Sequence, residues 1–311
     1  PIEEIVKRIY AGEALKDADR IIEAFSVMAK TGKKFSPRLK EEIKKNLTRI
    51  TRKTGSSRKA IELFRGILNS SRVYGTLAEM HHNGVLGRFI PEFGALSFLV
   101  VYEPYHRYTV DEHSLLAVKK IEELGDTRYK NLEHLSSIYK RIKSKEALIL
   151  ALLLHDIGKK GISKHYRFPA GFKEGRHEGE GYLEIKNILE RFNLDIVMRN
   201  RVEFLVRNHT LMSAIAFKQE IDDPLVIAQF AEEAGDAENL DALYLLTYAD
   251  MASVSPDFWT EWKSYQLRDL YEAASRCIGG LSARNVDSIS GMFALSDAEK
   301  AGLQGFISNM P

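Results

Sequence analysis

Apolar residues recur at spacings of three and four along most of the chain, which turns one face of an α-helix toward a core. No segment sustains the period-two alternation of a half-buried strand, so the pattern predicts an all-α protein. Several helix boundaries carry their own chemistry. Ser36-Pro37 offers an N-cap followed by a proline at the first helical position. Thr109 with Glu112, and Ser296 with Glu299, have capping-box spacing. Asn83-Gly84 predicts a helix stop after the run 73–82. Only the segment 147–154 abandons the amphipathic pattern: it is apolar on all sides, as a helix buried in the core would be. It falls far short of the roughly 20 residues that cross a bilayer, and no membrane association is expected.

These elements divide into a helical linker domain over 1–95, a histidine-bearing domain over 96–276, and a linker with one short helix over 277–311. Composition changes the picture little. The chain has 311 residues and a formal charge of +2, which gives no global case for nucleic acid or membrane binding. Lysines and arginines crowd positions 33–59, where a solvated face is expected; Phe35 alone among them is aromatic, which gives no aromatic interleaving of the kind that supports nucleic-acid binding. Cys277 is the only cysteine, which excludes an intrachain disulfide and a thiolate zinc cage and fits a reducing, cytoplasmic setting. No secretory signal is recognisable, and a first residue of Pro1 suggests a piece of a longer protein. The stretch 158–175 combines four glycines with Lys159, Lys160, Lys164, His165, Arg167 and Lys173, the makings of a substrate loop or of plain disorder.

The candidate chemistry gathers around His155-Asp156. The pair emerges at the C-terminal end of the buried helix, where the partial negative charge of the helix favours a cation. A carboxylate buried there without a partner would cost several kcal/mol or shift its protonation. Other candidate ligands also fall on apolar stripes. His113 shares a face with Val110, Ala117 and Ile121; His209 follows the stripe of Val202, Leu205 and Val206 on a helix around Arg201. Asp250 follows Leu243 and Leu246, and His177 begins a stripe continuing through Ile185 and Ile188. A lone histidine on such a face is more often a hydrogen-bonded core residue than a ligand. Six such residues together would each need a private partner, and one or two divalent metal ions answer that need more simply. Imidazole and carboxylate without thiolate suit Mn, Fe, Mg, Co or Zn without choosing among them. Of the other histidines, His81 and His82 are expected at a helix end or surface, His134 exposed, and His165 in the basic loop.

The order His113, His155-Asp156, Asp250 resembles that of the HD-domain phosphohydrolases, and His177 and His209 resemble the additional histidines of two-metal members. The segments YHRYTVDEHSL (105–115), ALLLHDIGK (151–159), VRNHTLMS (206–213) and YLLTYADMASVSPDFWTEWK (244–263) are similar to the HD region of the bifunctional PII uridylyltransferase/uridylyl-removing enzymes. LAEMHHNGVLGRFIPEFG (77–94) resembles the helical linker before it. The resemblance implies an HD-domain helical bundle with an N-terminal helical linker domain. It implies that His113, His155, Asp156 and Asp250 hold one metal, and that Asp156 bridges to a second held with His177 and His209. The catalytic group would be His155, Asp156 and Lys159, with Lys159, Lys160, His106 and Arg107 toward substrate. The implied reaction is hydrolysis of a phosphodiester, removing a uridylyl group from a PII-type signalling protein. Rival readings are an HD hydrolase of a cyclic nucleotide, deoxynucleotide or alarmone, and a non-catalytic ligand-sensing module. Gly55-Ser56 is not followed by the Asp-x-Asp pair of a nucleotidyltransferase, so this chain is not expected to transfer uridylyl groups forward.

Overall fold

A computed structural model describes residues 15, 17–101, 105, 107–126, 132–161, 184–218, 221, 223–282 and 296–308, the side chains of 160, 161 and 280–282 excepted. Among these residues the secondary structure is helical throughout, with no strand. The first region contains α1 (Ala18–Thr31), α2 (Pro37–Lys45), α3 (Arg58–Leu68), α4 (Val73–His82) and two single turns, α5 (Leu86–Phe89) and α6 (Pro91–Gly94). The second contains α7 (Val110–Glu123), α8 (Glu133–Arg141), α9 (Lys145–Leu154), a helical stretch over 184–191 (α10), α11 (Ile196–Arg207), α12 (Leu211–Lys218), α13 (Pro224–Ala234) and α14 (Ala237–Val254). They are followed by α15 (Glu261–Ser282) and α16 (Asp297–Ser308).

Most of the expected boundaries form as their chemistry dictates. Ser36 accepts a hydrogen bond from the Leu39 N–H at 3.2 Å, with Pro37 opening α2. α4 ends at His82, and Gly84 takes the left-handed φ of +74° that glycine adopts without strain. The Ser296–Glu299 box closes in both directions: the Ser296 N–H donates to Glu299 at 2.8 Å, and the Glu299 N–H to Ser296 Oγ at 3.4 Å. Thr109 stands at the N-cap of α7 but makes no side-chain cap bond. The expected linker from position 277 begins later, because α15 runs on to Ser282. Gly55 has a packing role: a Cβ there would lie 2.7 Å from the Phe89 carbonyl oxygen.

The two regions share one continuous cluster of buried apolar side chains. Phe64 of α3 meets Phe89 of α5 at 5.0 Å and Phe192, just past α10, at 5.8 Å between ring centroids. Beside them Arg191 makes a bidentate pair with Glu92, at 2.7 and 2.8 Å, both side chains buried. α9 lies at the centre: every residue from Glu146 to Leu154 is buried. No helix among the described residues is long and apolar enough to cross a membrane.

Candidate metal centre

Three helix ends and one helix face bring the candidate ligands together. His155 is the C-cap residue of α9, and Asp156 follows it into a short 3-10 turn over Ile157–Gly161. His113 lies on the buried face of α7 and Asp250 in the last turns of α14. His209 is not on the helix around Arg201. α11 ends at Arg207 with Asn208 as its C-cap, so His209 stands just beyond it. It thereby repeats the placement of His155. Each ring donates its Nδ1–H to the carbonyl three residues back in the ending helix, His155 to Leu152 and His209 to Val206, both at 2.8 Å.

Tautomers follow from these partners. A carbonyl accepts only, so His155 carries its proton on Nδ1 and turns Nε2 inward. That Nε2 is buried and has no hydrogen-bond partner. It stands 3.5 Å from both Asp156 Oδ2 and Asp250 Oδ1, close enough for charge attraction but long for a hydrogen bond. At His113, Ser253 Oγ donates to the Asp250 carbonyl at 2.8 Å and therefore accepts from His113 Nδ1–H at 3.1 Å. His113 Nε2 then faces Asp250 Oδ1 at 2.8 Å. Two lone pairs cannot sit so close; a proton or a cation must lie between them. Ser253 was invisible to ligand spacing, although it stands one turn from Asp250 on an otherwise apolar stripe.

The electrostatics carry the same sign. Burial opposes ionisation of Asp156, yet Lys159, His155 and His113 together hold its carboxyl well below the usual carboxylate range. Burial likewise opposes ionisation of Asp250, and the close approach of His113 together with the charge of His155 holds it far down. Burial would lower the pKa of His155, but the two carboxylates outweigh it and push it up to about 9. Burial and the neighbouring His155 lower that of His209. The site thus concentrates two carboxylates against imidazoles and favours positive charge at its centre.

The donor atoms of His113, His155 and Asp250 lie within 4.8 Å of one another, a grouping that could hold one metal ion. The orphaned Nε2 and the apposed lone pairs fit a divalent metal. Asp156 Oδ2 is 3.9 Å from His113 Nε2, and the His209 ring centroid is 5.4 Å from that of His155. Lys159 reaches back to Asp156 Oδ2 at 3.0 Å. Arg107 is exposed, and its N–H donates to the Val254 carbonyl at 3.4 Å. His106, His165, His177 and the Lys160 side chain lie outside the described residues.

His81 and His82 fall in the last turn of α4, the helix end expected of them, whereas His134 departs from its expected surroundings. His81 is largely buried and sits 3.1 Å from Asp111 Oδ2, while its neighbour His82 is exposed. His134 is half-buried rather than exposed. Its ring packs 5.6 Å from Tyr271 and 5.9 Å from Tyr244, which burial of a polar segment by α14 and α15 explains.

Comparison with known proteins joins these observations. Residues 14–89 match the uridylyltransferase GlnD third domain. The chain is 37% identical over 200 residues to the bifunctional uridylyltransferase/uridylyl-removing enzyme of Zymomonas mobilis, covering 64% of this chain and 20% of that one. It is 34% identical over 273 residues to the enzyme of the same name from Caulobacter vibrioides, covering 86% and 28%. For that of Acinetobacter baumannii the figures are 34% over 256 residues, covering 76% and 27%. The chain therefore spans between a fifth and just over a quarter of the length of these relatives. Residues 110–247 match the HD domain, so this part of the chain, with three of its candidate ligands clustered in or beside it, belongs to the HD-domain family.

Proposed function

We propose that the chain is a divalent-metal phosphodiester hydrolase that removes a uridylyl group from a PII-type signalling protein, as the HD module of a longer uridylyltransferase-like protein. The observation that carries the hydrolase reading is the orphaned His155 Nε2 set between the buried carboxylate of Asp156 and the partly buried one of Asp250. The relatives' name, uridylyl-removing enzyme, supports the substrate. In this reading 1–95 is the helical linker domain, 96–276 the hydrolase, and 277–311 a linker with a short helix.

His113, His155, Asp156 and Asp250 would hold one ion, and Asp156, His177 and His209 a second. Such ions supply a nucleophilic water at neutral pH and neutralise phosphoryl charge. The protein's own groups do the rest. The Leu152 and Val206 carbonyls and Ser253 orient the rings, an outer arrangement that fixes each tautomer. Lys159 holds Asp156 ionised and lies within reach of a phosphoryl oxygen, with Lys160, His106 and Arg107 as further substrate contacts.

Metal content and turnover, measured together, test the reading. Purified protein should contain one or two transition-metal ions per chain and release uridine monophosphate from a uridylylated PII-type protein faster than it hydrolyses cyclic nucleotides, deoxynucleotides or alarmones. Preference for one of those nucleotides would overturn the substrate. Metal-free protein with no hydrolase activity after metal addition would overturn the reaction.

A further inference from the structure

Three large exposed aromatic side chains lie on segments that adjoin the candidate ligands in the chain. Trp262 and Tyr265 are 57% and 63% exposed and sit three apart at the start of α15, where helical spacing puts them on one face. Tyr105 is 66% exposed, with its ring 5.7 Å from Phe258. The Phe217 ring lies 5.6 Å behind Trp262 at an interplanar angle of 32°.

Each of these contacts is tied to a candidate ligand by a short piece of chain. Tyr105 precedes His113 by eight residues, Phe217 follows His209 by eight, and Phe258 follows Asp250 by eight. The Arg107 N–H to Val254 carbonyl bond fastens the first segment to the end of the helix carrying Asp250. Lys263 pins the third: its ammonium lies 3.3 Å over the Phe258 ring and donates to the Phe258 carbonyl at 2.7 Å. Segments leading from three candidate ligands therefore meet in two aromatic pairs, Tyr105–Phe258 and Phe217–Trp262, whose Phe258 and Trp262 stand four residues apart in the chain.

We propose that Trp262, with Tyr265 and Tyr105, forms a stacking shelf for the nucleobase of the substrate's nucleotidyl group, an inference that rests on the phosphodiester hydrolysis proposed above. When the phosphoryl group is at the metal centre, the nucleoside must extend away from it. A planar ring braced from behind by Phe217 and open in front is the geometry that stacks a base, and every base offers a π-face to it. The aromatic positions are interrupted by Glu261, Lys263 and Ser264, which suits separate stacking platforms rather than a continuous apolar dock for a protein surface.

The test compares two esters that differ only in the nucleoside: the p-nitrophenyl ester of uridine monophosphate and methyl p-nitrophenyl phosphate. Trp262→Ala should raise KM for the uridine ester roughly tenfold, leaving its kcat and the methyl ester unchanged. Trp262→Phe should restore most of the loss. Equal losses on both esters, or no change on either, would overturn the shelf. A second readout uses fluorescence, since the chain has only two tryptophans. Uridine monophosphate should quench the emission saturably in the wild type and not in Trp262→Ala. Absence of quenching in the wild type would also overturn the shelf and leave this face to a protein partner. If the metal-loaded wild type cleaves neither ester, the hydrolase reading fails, and the quenching titration still decides the shelf.

Discussion

The helices Lys145–Leu154 and Ala237–Val254 each carry a buried or half-buried carboxylate at both ends, and the two ends are built in different ways. Near their N-termini, Glu146 and Asp241 face guanidinium groups. Glu146 accepts from Arg65 and from Asn69 at 2.8 Å. Asp241 accepts from Arg141 at 2.7 and 2.9 Å and from the Tyr271 hydroxyl at 2.6 Å. At or just past their C-termini, Asp156 and Asp250 face imidazoles whose Nδ1–H groups are already committed elsewhere, and Asp156 also meets the Lys159 ammonium at 3.0 Å. The N-terminal ends are complete as they stand; at the C-terminal ends the orphaned His155 Nε2 and the apposed His113 Nε2 and Asp250 still call for a cation. A buried acid is therefore no sign of function until its partners and their protons have been counted.

The largest expected effect separates the ends outright. His155→Ala should remove bound metal and lower turnover by more than the roughly 10–100-fold typical of outer-shell substitutions. Glu146→Ala should leave metal content unchanged and cost about 2 kcal/mol of stability, discounted from the 3–5 of a fully buried pair because Arg65 reaches solvent. Metal analysis and thermal melts of the two variants, side by side, would break the comparison if both lost metal or neither did.

A smaller contrast appears in pH. In metal-free protein the His155 pKa of about 9 lies above its unfolded value of 6.5, so its stabilisation is complete below pH 6.5 and lost as pH rises through 9. The guanidinium groups of Arg65 and Arg141 stay charged across that range and contribute no such slope. Melting temperature should fall between pH 6.5 and 9 in chelator-treated protein and not in the metal-loaded form, where the ion replaces the proton. Equal slopes with and without metal would contradict the cation reading.

The smallest effect belongs to Ser253→Ala, which removes the acceptor of His113 Nδ1–H while leaving every ligand in place. Metal affinity, read by titration, should weaken about tenfold. An unchanged affinity would mean that α7 alone fixes the His113 ring.

Much of this was legible in the chain. The three-and-four spacing predicted an all-α fold, Ser36-Pro37 and Asn83-Gly84 marked helix ends, and 147–154 announced a core helix. Those signals are local: they depend on propensity, capping and one-dimensional periodicity. His113, His155 and Asp250 were also readable, because polar residues on apolar stripes stand out without knowledge of what faces them. His209 was placed on a helix because its stripe continues past the residue where the helix ends. His134 misled because a polar neighbourhood in sequence became a covered one once α14 and α15 packed over it.

The sequence by itself determined that the chain is helical and that His113, His155 and Asp250 are polar residues on or at the end of apolar stripes, since both follow from residue type and helical period. Only the tertiary structure decided which carboxylate meets an arginine and which meets an imidazole, because that depends on pairs separated by many tens of residues. It also decided where the His113 proton goes. Its acceptor, Ser253, stands on another helix, and no pattern along one helix reveals what the next helix will offer.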